Sequence, residues 1–437
     1  MRLEFMFDKI LYLQPKKTPF MQKYFKYLAV SLLVLCGGLF NMAHAQLGFS
    51  IDKADEKLNT VGAAVTFTML SPDARAGSMG DLGVSSSPDA NSMHWNPAKY
   101  AFIDSDMGFS VNYTPWMRSL VNDINLANVV GYKRLDRYSA VAASLTYFSL
   151  GEITFTDEFG NSRGIEKPNE FTLDATYSRK FSEKISGAVA ARFIYSNLTM
   201  GRDVGGASTH AGTSVAADVA VFYTTPLEFK SMSGGSFSFG MNISNIGQKI
   251  SYSDANTVRD FIPTNLRLGP ALTMDIDDYN SLTFMVDFNK LLIPTSPIYW
   301  EDSVDIDGVP VVRYGRDPNV SVVSGIVQSF YDAPGNFDDE TGDMILSPFG
   351  EELREIQISG GVEYWYDKQF ALRGGYFYEH ATKGNRKYFT VGAGLKYNVF
   401  GLDFSYLIPI GQRNPLENTL RFSLLFDFDA FQRQNRM

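Results

Sequence analysis

From Met107 onward, apolar and polar side chains alternate with a period of two, which is the pattern of strands with one apolar and one polar face. Phe109, Val111 and Tyr113 fall on one face, and Gly108, Ser110 and Asn112 on the other. Ile185, Val189, Phe193 and Tyr195 alternate with Ser186, Ala188, Ala190 and Arg192, and near the end Leu420, Phe422, Leu424, Phe426 and Phe428 alternate with Arg421, Ser423, Leu425 and Asp427. The periodicity predicts fourteen strands, at 107–116, 124–133, 138–148, 170–181, 184–197, 213–224, 235–246, 264–275, 281–290, 356–366, 369–380, 387–398, 401–410 and 418–428. A strand tilted across a bilayer needs about 9–11 residues, whereas globular strands average about 5–6.

The connections decide between a membrane barrel and a soluble sandwich. Every second connection is short, as at Leu135-Asp136, Ser182-Glu183, Asp367-Lys368 and Val399-Phe400, with 225–234 the longest of that set. The alternate ones, 149–169, 198–212, 247–263, 291–355, 381–386 and 411–417, are mostly longer. Short turns on one rim and long loops on the other is the plan of an outer-membrane barrel. An even strand number closes the sheet, pairs every backbone group and leaves both barrel termini on the short-turn, periplasmic rim. The fold class predicted is therefore all-β, a transmembrane outer-membrane antiparallel β-barrel of about fourteen strands.

Alternation also fixes which charges point inward: Asp174, Arg192, Asp218, Arg267, Asp287, Glu363, Arg373, Asp403 and Arg421. Both signs at close range suit paired charges that brace a lumen; a selective pore more often carries a ring of one sign.

The first residues read as targeting. From Met21, Lys23 and Lys26 form a positive region, Leu28 to Phe40 an apolar one, and Ala43-His44-Ala45 a cleavage site before Gln46. Residues 1–45 are thus an expected leader, with Met21 as an alternative start. Leu35 is too bulky to precede a lipidated Cys36. Cys36 is the sole cysteine, so the mature chain would hold no disulfide or thiol chemistry. Removing the six basic and two acidic residues of 1–45 from the chain's 39 and 48 leaves 33 against 46, a net charge of −13. That balance argues against nonspecific nucleic-acid binding. No later stretch of about eighteen apolar residues offers a transmembrane helix.

Between leader and strands lies Ser71 to Phe102, SPDARAGSMGDLGVSSSPDANSMHWNPAKYAF. Three glycines and an Asn-Pro-Ala step exclude one regular helix, while Ala74, Met79, Leu82, Val84, Met93 and Trp95 give it apolar surface to bury. Residues 46–106 are expected to form a plug-like segment in the lumen or across the periplasmic mouth, and 107–437 the barrel.

The run DARAGSMGDLGVSSSPDANSMHWNPA resembles the N-terminal segment of FadL-like outer-membrane barrels, and within that superfamily the chain is similar to the PorV-like proteins of the type IX secretion system. Phe426-Asp427-Phe428 is similar to the C-terminal signal that hands barrels to their insertion machinery. The resemblance implies a cell outer membrane of Bacteroidota and no cofactor. It implies these partners: the giant translocon barrel, cargo C-terminal domains, surface attachment complex proteins and outer-membrane lipid. A sibling shuttle such as PorQ fits the same pattern. A FadL-like channel for fatty acids or other apolar molecules is the alternative function.

Catalytic chemistry finds little support. Of His94, His210 and His380, none sits in a Ser-His-Asp, His-x-His or Glu-x-x-His arrangement. A packed ring is expected for His94 and an exposed one for His380. An enzyme such as a lipopolysaccharide deacylase would need a nucleophile beside a base. Asp338 to Asp343 clusters oxygen ligands without the spacing of a calcium loop, so a solvated stretch is expected. The 291–355 connection is far longer than ordinary loops, yet too apolar for a free tail. Ser347-Pro348 opens a capped helical turn within it. An ordered apolar outer loop suits a lid or a docking surface, with Tyr299, Trp300, Phe330 and Tyr331 as candidate partner contacts.

Overall fold

The computed structural model describes residues 58–428 except 122, 157–158, 204–207, 231, 254–258, 305–309, 338–340, 342 and 412–413. The expected leader and residues 46–57 lie outside the described residues, as does most of the Asp338–Asp343 run.

Fourteen antiparallel strands close into a barrel: Met107–Pro115, Asn125–Arg134, Ser139–Ser149, Asn169–Lys180, Ile185–Asn197, Gly212–Leu227, Gly234–Gly247, Asn265–Asp275, Asn280–Leu291, Gln357–Tyr366, Phe370–Tyr378, Lys387–Tyr397, Phe400–Pro409 and Leu420–Asp427. Each pairs with its neighbours in sequence, and the first pairs with the last through Gly108↔Asp427 to Tyr113↔Phe422. Closure leaves no open sheet edge. Gly212–Leu227 runs past its predicted end because Thr225, Pro226 and Leu227 pair with Phe237, Ser236 and Gly235.

Side chains divide as the alternation requires. Val111, Val129, Leu145, Leu173, Val189, Phe193, Val219, Phe284, Val286 and Leu424 are exposed on the outside, whereas Ser110, Asn112, Thr176, Ser186, Asn242, Ser405 and Ser423 are buried inside. An apolar belt of that extent suits acyl chains, not water.

One irregularity matters. The pairing of Gly212–Leu227 with Gly234–Gly247 shifts register between Ala217 and Val219. On the partner strand Asn245 takes φ 60. This bulge lets Asn245 turn into the lumen, where it is buried.

Residues 58–106 run through the lumen. The leading end meets the long-loop rim: Asn59 N donates to Thr382 O at 3.0 Å and Ala64 N to Phe261 O at 2.9 Å. The chain then passes through short helical turns at Thr66–Met69, Ala74–Gly77, Ser92–Trp95 and Pro97–Phe102. It leaves at the short-turn rim, where Arg134 donates to Asp104 O and Asp106 O at 3.0 and 2.7 Å. Entry from the long-loop side was not foreseen. Plug and wall form one compact unit.

Small residues in the wall make room for it. A Cβ on Gly240 would lie 2.0 Å from Val84 O, and one on Gly375 2.0 Å from Met79 C. Apolar side chains fill the section between. Met79 and Leu82 pack on Ala271 and Met285. Met93 and Tyr100 pack with Val130 and Tyr132, and Ala98 with Ala188 and Phe222. Phe67 stacks on Phe148 with ring centroids 6.1 Å apart.

The long connections hold structure of their own. Ile153–Thr156 and Ser162–Glu166 form a hairpin within the 149–169 connection, where the periodicity predicts no strand. Within 291–355 lie a hairpin of Ile298–Val304 with Pro310–Tyr314, a helix Val322–Gln328, a short pairing of Asn336–Phe337 with Met344–Leu346, and a helix Pro348–Arg354. Ser347 caps the last helix, its Oγ accepting from Gly350 N at 3.1 Å.

Candidate functional site: braced lumen and outer rim

All nine inward charges are buried. The wall brings six of them together in two sets, each built on one directly opposed pair on neighbouring strands, with a third charge reaching in from farther along the wall. In the first set Arg192 stands opposite Asp174 and its Nε donates to Asp174 Oδ1. Arg192 Nη2 lies 3.3 Å from Asp218 Oδ2, and its Nη1 donates to Asn245 Oδ1. Asn245 N in turn donates to Asp218 Oδ1 at 2.8 Å, so the bulge completes the set.

In the second set Glu363 stands opposite Arg373. Arg373 Nε donates to Glu363 Oε2 at 2.7 Å and Nη1 to Asp403 Oδ1 at 2.6 Å. The plug extends this chain. Arg75, on the turn Ala74–Gly77, reaches both Glu363 oxygens at 2.9 and 2.7 Å and Asp89 Oδ2 at 2.7 Å.

Arg267, Asp287 and Arg421 are not paired with one another; each holds the plug. Arg267 Nη1 donates to His94 O at 3.0 Å and its guanidinium lies 4.8 Å from the Trp95 ring. Asp287 Oδ2 accepts from Gly83 N and Val84 N at 2.8 and 2.9 Å. Arg421 Nη2 lies 3.2 Å from Asp81 Oδ1, and Nη1 donates to Gly77 O. The plug supplies further polar anchors of its own. Asp73 caps Ala76 N at 2.8 Å and accepts Trp95 Nε1 at 2.7 Å. Lys99 Nζ donates to Gly83 O and Ser86 Oγ. Sequence reasoning missed Arg75, Asp73, Asp81, Asp89 and Lys99, because no periodicity marks which way an irregular segment points its side chains.

A second buried charge cluster lies at the long-loop rim, and it too was missed. Lys290, at the end of its strand, lies 2.8 Å from Glu352 Oε2 and 2.7 Å from Glu355 Oε2. Lys383 lies 2.6 Å from Glu351 Oε1 and 3.0 Å from Glu355 Oε1. The free oxygens of these acids hold loop backbone: Glu352 accepts from Ala333 N and Glu351 from Gly335 N, at 2.9 and 2.7 Å. Asn59 Nδ2 donates to Glu351 Oε1 at 3.1 Å, tying the plug's leading end into the cluster. Asp332 sits beside it, accepting from Thr295 N at 3.2 Å. Burial, then the nearby Glu352 and Glu355 carboxylates, push the Asp332 carboxyl up to about 6.

The candidate contact residues lie on two elements of the same long connection. Tyr299, Trp300, Phe330 and Tyr331 are about half exposed, at 41, 50, 51 and 49%. Tyr299 and Trp300 belong to the hairpin, with Arg313 4.5 Å from the Trp300 ring. Phe330 and Tyr331 follow the helix Val322–Gln328, with Arg316 4.5 Å from the Tyr331 ring. His94 packs edge-on against Trp95, 4.8 Å between centroids. His380, expected at solvent, is half-buried because its Nδ1 caps Thr382 N at 3.3 Å. Among the described residues no group of three or more metal-ligating side chains occurs.

A family model described as "Type IX secretion system protein PorV" matches residues 52–298, which span the plug and the first nine wall strands. The chain belongs to the PorV family. No curated protein matches it in sequence. Among solved structures it is similar to the toluene transporter TbuX of Ralstonia pickettii, at 10% identity and TM-score 0.43, covering 83% of this chain and 99% of that one. It is similar also to the toluene transporter TodX of Pseudomonas putida, at 11% identity and TM-score 0.41, covering 85% and 98%. A FadL homologue of Pseudomonas aeruginosa matches at 10% identity and TM-score 0.37, covering 85% and 100%. Likeness at that level says nothing about a substrate for this PorV-family chain.

Proposed function

We propose that this PorV-family protein lies in the outer membrane with its long loops outside the cell. There it binds the giant translocon barrel of type IX secretion, collects cargo by a conserved C-terminal domain and passes it to the surface attachment complex. The observation that carries this reading is a contrast within one molecule. The lumen is packed with buried plug side chains such as Met79, Leu82, Trp95, Lys99 and Tyr100, while the described part of the 291–355 connection folds into hairpins and helices and presents Tyr299, Trp300, Phe330 and Tyr331 to solvent. Aromatic side chains held on fixed elements are favourable anchors for a partner, because little side-chain entropy is lost on docking. A filled, ion-paired lumen suits a scaffold that holds its loops in the membrane plane. The paired inward charges would brace the wall against the plug, and no step of bond-making is required of them.

Deleting the gene and locating cargo tests the reading. Cargo should accumulate in the periplasm and vanish from the surface; unchanged surface display would overturn it. The alternative, a FadL-like channel for fatty acids, requires the plug to shift. It predicts uptake of labelled fatty acid into liposomes carrying the purified barrel.

A further inference from the structure

The buried acids of the wall follow a rule. Asp174, Asp218, Glu363 and Asp403 each face an arginine, and Asp287 faces two backbone amides. Glu170 departs from it. This residue, second in the strand Asn169–Lys180, is 5% exposed. Its carboxylate accepts from Ser196 Oγ at 2.6 Å, and Tyr252 OH donates to the same hydroxyl at 2.9 Å. Among the described residues no lysine or arginine pairs with Glu170. The hydroxyl relay orients the carboxylate without neutralising it, and a buried charge of that kind either takes a proton or takes a cation.

Beside Glu170 is space for a cation. A cavity of about 680 Å³ opens at the long-loop rim between the plug's leading end and the wall, within the range of about 300–1,000 Å³ common for ligand sites. Phe148, Leu150, Leu198 and Val65 give it apolar walls. The cations already on its border are engaged or solvated: Lys249 Nζ lies 4.1 Å from the Phe261 ring, and Arg259 is exposed beside Asp260. An apolar collar with a carboxylate inside it complements an aliphatic stem that ends in positive charge. A fatty acid brings the wrong sign to Glu170.

We propose that this cavity is a binding site for a lysine or arginine side chain of a docked polypeptide, its stem against Phe148, Leu150 and Leu198 and its charge on Glu170. The source of the side chain rests on the docking role given above; the chemistry of the site does not.

The test uses the purified full barrel in detergent and two dye-labelled peptides, Gly-Ala-Lys-Ala-Gly and its norleucine counterpart, titrated by anisotropy. The lysine peptide should bind at least tenfold more tightly than the norleucine peptide. Glu170→Gln should remove that preference and leave norleucine binding unchanged, with folding checked by heat-modifiable gel mobility. Leu198→Trp, which fills the cavity and keeps Glu170, should weaken the lysine peptide at least tenfold and serves where Glu170→Gln does not fold. Equal binding of the two peptides, a preference that survives Glu170→Gln, or no lysine-peptide binding at millimolar concentration overturns the proposal. Failure of the site leaves translocon co-purification intact, and failure of co-purification leaves the peptide result standing, so the two ideas fall separately.

Discussion

Arg75 and Glu363 stand 288 positions apart in the chain and meet in the lumen by two parallel hydrogen bonds of 2.9 and 2.7 Å. One belongs to the plug and the other to the wall, so this fork joins the two parts of the molecule. Planar two-point pairing of guanidinium and carboxylate is the strongest form of ion pair. Arg75→Met would strand Asp89 and leave Glu363 to Arg373 alone. The expected cost is about 3–5 kcal/mol, the range for breaking a buried pair from one side. It should appear as a lower temperature for loss of the compact, heat-modifiable form on gels.

Gly240 and Gly375 test the plug's seating by shape instead of charge. Alanine at either would drive a methyl group into plug backbone, at Val84 O or Met79 C. Each variant should lose about 1–3 kcal/mol and expose the plug to added protease. Gly131→Ala is the control: its nearest neighbours lie at 3.7 and 3.8 Å, and a change within about 0.5 kcal/mol is expected.

The course of the plug fixes which rim its leading end reaches. Leu58 is 77% exposed, next to Asn59 on Thr382. Since Cys36 is the only cysteine and lies in the expected leader, Leu58→Cys would be a lone thiol in the mature protein. A membrane-impermeant maleimide should label it on intact cells. Asp136→Cys, in a short turn, should label only after the outer membrane is opened. The reverse pattern would invert the orientation.

Asp332 makes the outer loop pH-sensitive. Its native pKa, about 6 against an ordinary 3.8, means the folded loop binds its proton more tightly than the unfolded one. The contribution is full below about 3.8 and is lost as pH rises through about 6. Loop amides around Thr295 should therefore exchange relatively more slowly at pH 4.5 than at pH 7, after correction for intrinsic rates. Asp332→Asn should abolish that part of the difference.

The wall was legible because lipid leaves a period-two signature over ten or more residues. All fourteen strands fell within a few residues of their predicted bounds, and Phe109, Val111 and Tyr113 face outward as read. The inward position of Arg373 followed from the same count. Its partners did not all follow: Asp403 lies two strands beyond that of Arg373, and Arg75 on an irregular segment. The outer cluster was hidden for a different reason. Lys290 looks like the polar end of a strand and Lys383 like a loop charge, and only the packed helix Pro348–Arg354 brings their acids to them. The Ile153–Thr156 hairpin was missed because its strands are short and exposed, with no buried face to impose a period.

Co-purification from outer membranes tests the central claim most directly. A tagged PorV-family chain should bring down the giant translocon barrel or surface cargo, and Trp300→Ala combined with Tyr331→Ala should reduce recovery several-fold while the barrel stays folded. Isolation as a lone monomer carrying lipid, with neither translocon nor cargo, would contradict it.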